Sequence, residues 1–199
     1  MSSSSPDGLQ AGPPRVVEWR PSRADAVLLN VLAVPLLLIG LAVFLRLATL
    51  RLPAAGRASL ELSGVLSFLL LTVLLTALLF VVHEGVHGLV MAAFGARPRF
   101  GALMIGRIVP ALYTTAPGHR FSRAQYLAVG VTPAVTISAA GALICLTAAG
   151  PIFVVPLSIH LSGCVRDFAA VLRLSREPRG TLCEDLRDGI RFHRPRSRA

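Results

Sequence analysis

Lysine is absent from this 199-residue sequence, and charge of either sign is scarce. Only 15% of residues are charged, against about 25% in an average soluble domain. All 20 basic residues are arginine, facing 10 acidic ones for a formal charge of +10. A nucleic-acid binder would spread such charge over a polar folded surface. Here the arginines stand at the two ends and between apolar runs, so a membrane surface is the implied partner and nucleic acid is not. Cysteine is nearly absent too. Cys145 and Cys164 fall within apolar segments and Cys183 in a polar one, which excludes a disulfide scaffold.

What the sequence has instead is apolar length. Hydrophobic residues make up 54% of it, and four runs are long enough to cross a bilayer. Residues 26–45 carry no charge and suffice for about 30 Å of hydrocarbon. Residues 64–94 are interrupted only by His83, Glu84 and His87; at 1.5 Å per residue they make roughly 46 Å of helix, which must tilt or protrude. The third run is 126–149, preceded by a Ser122/Gln125 capping box and kinked at Pro133. The fourth is 152–172, after a turn at Gly150-Pro151. The expected fold class is therefore an all-α membrane protein, a bundle of four transmembrane helices.

Three further segments complete the organisation. Residues 1–25, rich in Ser, Pro and Gly, read as a disordered lead with an interfacial anchor at Trp19. Residues 26–173 form the membrane domain, and 174–199 a basic tail. Between helices two and three, residues 99–115 hold two short apolar runs divided by Gly106, which suits a β-hairpin-like insertion dipping into the inner face of the bundle. With the N-terminus inside, sixteen arginines flank the inner side and three the outer, as the positive-inside rule requires. Both termini are expected in the cytoplasm, with the tail against anionic headgroups. The all-arginine, alanine-rich composition is that of a GC-rich bacterial genome, hence a bacterial cell membrane.

Ionisable side chains within hydrocarbon cost on the order of several kcal/mol unless paired, solvated in a cavity or bound to an ion. The four runs contain two carboxylates and three histidines, namely His83, Glu84, His87, His160 and Asp167. His83 and His87 are four residues apart, so both imidazoles leave one helix face about 6 Å apart and can share a single zinc ion. Glu84 lies about 100° round, placed to take a proton from water and return it to a leaving amine. A packed histidine pair beside a buried glutamate is the plainer alternative. A catalytic zinc wants a third protein ligand. Asp167 fits, since it and His87 both fall roughly 9–11 Å from the inner ends of their runs by helical rise. Cys164 is the other candidate, against a plain packing role. His160 shares a face with Asp167 about 10.5 Å away, too far for one ion, and is better placed to position substrate, hydrogen-bond a ligand or stabilise an oxyanion.

The run His83-Glu84-Gly85-Val86-His87-Gly88, the Arg/Pro/Phe/Gly stretch after it, Pro133, and His160-Leu-Ser-Gly-Cys-Val-Arg-Asp167 together resemble the zincin peptidase membrane family. That family is itself similar to the site-2 intramembrane metalloproteases. The resemblance covers about residues 60–173. It implies zinc held by His83, His87 and Asp167, Glu84 as general base, and cleavage of a membrane-protein substrate within or beside the bilayer. The setting Val165-Arg166-Asp167-Phe168 departs from the Leu-Asp-Gly usual in site-2 proteases. A non-hydrolytic metal binder, either a divalent-cation carrier or a scaffold, is the rival reading, and a lipid-surface anchor or assembly subunit a third.

Overall fold

The computed structural model describes residues 15–50, 62–105 and 109–195. Four helical stretches are long and apolar enough to cross a membrane. They are α1 (Arg23–Thr49), α2 (Leu62–Ala93), α3 (Arg123–Cys145), and α4 (Gly150–Gly163) continued by α5 (Val165–Ser175). The flanks of α2 carry leucines and valines exposed all round, such as Leu70, Val73 and Leu74, the surface a lipid-facing helix presents. The capping box at Ser122 and Gln125 starts α3, with Pro133 inside it. A second box, Ser22 with Asp25, starts α1. Small residues set the closest helix approaches. A Cβ at Gly40 of α1 would stand 3.0 Å from Ser158 Cα of α4, and one at Gly141 of α3 would enter the Leu157 side chain.

Among the described residues are six strands, and four of them correct the expectation of helices with a single hairpin. β2 (Arg99–Ile105) and β3 (Val109–Thr115) form the expected hairpin, paired from Arg99↔Thr115 to Ile105↔Val109. Gly106, the expected divider, lies outside the described residues. The other strands were not anticipated. β1 (Arg15–Trp19), β4 (Phe121–Ser122), β5 (Leu182–Leu186) and β6 (Gly189–Arg194) make an antiparallel sheet in the order β1-β6-β5-β4. The patternless lead of 1–25 and the plain basic tail of 174–199 are thereby corrected at residues 15–19, 23–25 and 182–194. Pairing is the physical reason: β1 buries little alone and gains its partner groups only from β6.

The core divides along the bundle. One cluster, including Phe44, Ile137, Val154 and Leu157, lies among the helices. The other, including Met91, Phe121, Tyr126, Val129, Leu174 and Phe192, joins the helix ends to the sheet. In both α2 and the α4–α5 stretch, the ionisable residues fall in sequence between members of the two clusters.

The sheet end is fastened by Glu177, whose side chain is buried against two arginines. Arg194 donates Nε to Oε2 at 2.6 Å and Nη2 to Oε1 at 3.0 Å, and Arg173 donates to Oε1 as well. The Arg194 guanidinium, opposed by burial and helped by Arg173, holds this carboxyl below the ordinary glutamate value of 4.5. A carboxyl depressed by folding stabilises the folded state above its unfolded value, and that stabilisation is lost as pH falls through the folded value. Acid should therefore loosen this sheet below about pH 4.5, reported by the emission of Trp19, which pairs with Ile190 across the β1–β6 ladder. Glu177→Gln should lower neutral-pH stability by about 1.5–3 kcal/mol and blunt the acid response; unchanged stability would reject the assignment.

Candidate metal centre

Helix α2 delivers His83 and His87 one turn apart, with both rings buried. Their Nε2 atoms stand 3.0 Å from each other. The third group arrives from a different element. Helix α4 ends at Gly163, Cys164 forms the junction, and α5 begins at Val165. Asp167, in the first turn of α5, sets Oδ2 3.2 Å from His83 Nε2 and Oδ1 3.6 Å from His87 Nε2. The depth agreement between Asp167 and His87 read from the sequence corresponds to a real juxtaposition.

Hydrogen bonding shows that a cation fits here. Val129 O can only accept, so His87 Nδ1 must donate to it, at 2.9 Å. A neutral His87 then presents an Nε2 lone pair to the Asp167 carboxylate, an arrangement of acceptors that lacks a positive partner. Separations of 3.0, 3.2 and 3.6 Å also bracket the edge of about 3.3 Å expected of a tetrahedron with metal–ligand bonds near 2.0–2.1 Å. His83, His87 and Asp167 thus form a donor set that could hold a metal ion.

His160 and Asp167, about 10.5 Å apart by helical rise, approach opposite nitrogens of one imidazole. His160, fully buried, brings Nε2 to 3.0 Å from His83 Nδ1 while Asp167 meets Nε2 of that ring. The Cys164 thiol donates to His160 O at 3.3 Å, and its Sγ lies 4.0 Å from His83 Nδ1 and 3.9 Å from His160 Nε2. His83, His160 and Cys164 therefore make a second donor set sharing one ring with the first. Among the described residues, His160 Nδ1 is buried without a hydrogen-bond partner.

Glu84, Asp167 and His87 line one cavity of about 450 Å³. Its walls come from every layer: Met91 of α2, Leu112 and Tyr113 of β3, Tyr126 of α3 and Asp185 of β5. The hairpin is tied to the motif helix, since the Thr114 hydroxyl donates to Glu84 O at 3.0 Å. Gly88, just after the motif, leaves room for the Phe100 ring, which a Cβ there would meet at 2.4 Å. Trp19, Pro21 and Ile190 roof the same space.

Asp185, Tyr126 and Thr114 are site residues that the sequence reading missed. Asp185 sits in an apparent tail with no motif around it. Its only local signal is the Asp188-Gly189 pair that follows, which marks a hairpin turn.

Neither a curated protein nor a solved structure matches the chain. A family described as "Putative zincin peptidase" matches residues 76–182, a stretch that includes His83, Glu84, His87, His160 and Asp167. With just over half of its 199 residues matched, the chain belongs to that metallopeptidase family.

Proposed function

We propose that the chain is an intramembrane zinc peptidase, similar to the site-2 metalloproteases, that hydrolyses a peptide bond of a membrane protein. The single observation that carries this reading is the convergence of two imidazole nitrogens and a carboxylate at the wall of a cavity that Glu84 also lines. His83, His87 and Asp167 would hold the zinc. Zinc bound there would polarise the scissile carbonyl and make water acidic enough to react near neutral pH. Glu84 would accept a proton from the attacking water molecule and return it to the leaving amine. His160 accepts from or donates to His83 Nδ1 and so fixes the orientation of that ring. The substrate must unwind to expose its carbonyls. The edge of β3 beside Tyr113 and Thr114 can hold it extended by strand addition.

The same reading places the protein in a bacterial cell membrane with both termini in the cytoplasm. Pairing of β1 with β6 supports a common side for the two ends. Exposed arginines of that end, including Arg176 and Arg179, face anionic headgroups. The rival, a metal binder without hydrolysis, draws support from the second donor set at His160 and Cys164, which offers an ion a neighbouring stop.

A purified, reconstituted chain supplied with a membrane-spanning peptide tests the proposal directly. Chelation should abolish cleavage and zinc should restore it. Cleavage that survives full removal of metal would end the metallopeptidase reading.

A further inference from the structure

Asp185 is a carboxylate in the cavity for which neither metal binding nor proton transfer has a use. Two groups fix it from behind: the Tyr126 hydroxyl donates to Oδ1 at 2.6 Å, and the Thr115 hydroxyl donates to its main-chain carbonyl at 3.1 Å. Among the described residues no cationic side chain pairs with the carboxylate, which the Tyr126 and Thr115 hydroxyls favour. Two arginines share the lining, Arg166 and Arg187. The Arg187 guanidinium lies over the Tyr113 ring, 5.7 Å from its centroid, and neither arginine pairs with Asp185. Burial pushes the Asp185 carboxyl up to about 6, against the Tyr126 and Thr115 hydroxyls, which favour its charged form. Around it, Leu112, Leu186 and Met91 offer an apolar wall, suited to the methylene stem of a long basic side chain.

We propose that Asp185, oriented by Tyr126, is the specificity residue of the cavity and receives a cationic nitrogen of the peptide substrate. This rests on the peptidase reading above and names the substrate class it favours: peptides carrying an ammonium or guanidinium close to the scissile bond. The two sources of such a group are a basic side chain and a free amino terminus. Long-range electrostatics cannot produce the same preference, because the chain carries a net charge of +10 and repels cations at a distance.

The test measures binding separately from turnover. Full-length Glu84→Gln protein, loaded with zinc, is titrated with dye-labelled peptides of one sequence. They contain either a lysine or a glutamine at one position, and have either a free or an acetylated amino terminus. The cationic peptide should bind roughly tenfold more tightly than its neutral counterpart. Sensitivity to the lysine replacement identifies a side-chain ligand, and sensitivity to acetylation identifies the terminal amine. Asp185→Asn, which can still accept from Tyr126, should erase the difference while zinc content and affinity for the neutral peptide stay unchanged. Tyr126→Phe, which keeps the carboxylate but frees it to rotate, should shrink the preference. In the wild-type background, Asp185→Asn should raise KM for the cationic peptide and leave kcat largely intact. A preference that persists in Asp185→Asn, or no charge preference in the parent, overturns the assignment. Charge-selective binding without any cleavage would instead refute the peptidase reading and leave the cation site standing.

Discussion

Glu84→Gln should slow peptide hydrolysis by roughly 10²–10⁴-fold while zinc content stays at the wild-type level. Glutamine keeps the length and shape of the side chain but cannot take up a proton. Glu84 lies in the cavity beside His87 and Asp167, and the Thr114 hydroxyl holds its main-chain carbonyl, not its carboxylate. The carboxylate is therefore left available for chemistry. Replacing it should not unfold the site, because His83 and His87 keep their own partners at His160 and Val129. The measurement is kcat on the reconstituted peptide beside elemental analysis of the same preparation. Activity within a few-fold of wild type would remove Glu84 from the reaction and favour an ion carrier, in which the substitution acts on ion affinity or flux.

The second large effect concerns the third ligand. Asp167→Ala should reduce bound zinc to near background in detergent-purified protein, as should His83→Ala and His87→Ala. Asp167 stands on α5, beyond the junction at Cys164, whereas the histidines stand on α2. An ion shared between them ties the two elements together. Zinc at about 1,000 times its Kd would then stabilise the folded chain by about 4.1 kcal/mol, read as a rise in Tm that Asp167→Ala lacks. Cys164→Ala supplies the contrast. It removes the sulfur of the alternative donor set and should leave zinc content unchanged. The opposite pattern, zinc retained in Asp167→Ala and lost in Cys164→Ala, would move the metal to His83, His160 and Cys164.

Much of this site was legible because its signals are local. Two histidines four apart share a helix face by geometry alone, and Ser122 with Gln125 announces the start of α3 within four residues. Asp167 was reachable by counting helical rise from two apparent membrane boundaries. The same arithmetic assumes one helix from 152 to 172. The junction at Cys164 breaks that assumption, and no proline stands there to signal it. The sheet failed to show for a different reason. Alternation of Ile190 and Phe192 with Arg191 and His193 is present, but the arginines of that segment equally suit a solvated tail. Strand β1 is five residues long and depends on a partner some 170 positions away, a dependence that no window along the sequence contains. Asp185 follows from that sheet, so it was hidden with it.

That pairing also sets an order of assembly. The ribosome makes residues 15–19 before any membrane helix and residues 189–194 after all of them, so the ladder between them cannot close until every span has been synthesised. Gly189 is needed for the closure, because a Cβ there would collide with the carbonyl oxygen of Trp19. A nascent chain stalled after Asp167 already carries His83, His87 and Asp167 but lacks Ile190 and the strand that pairs with Trp19. The fold thereby delays its finished chamber to the last step of biosynthesis.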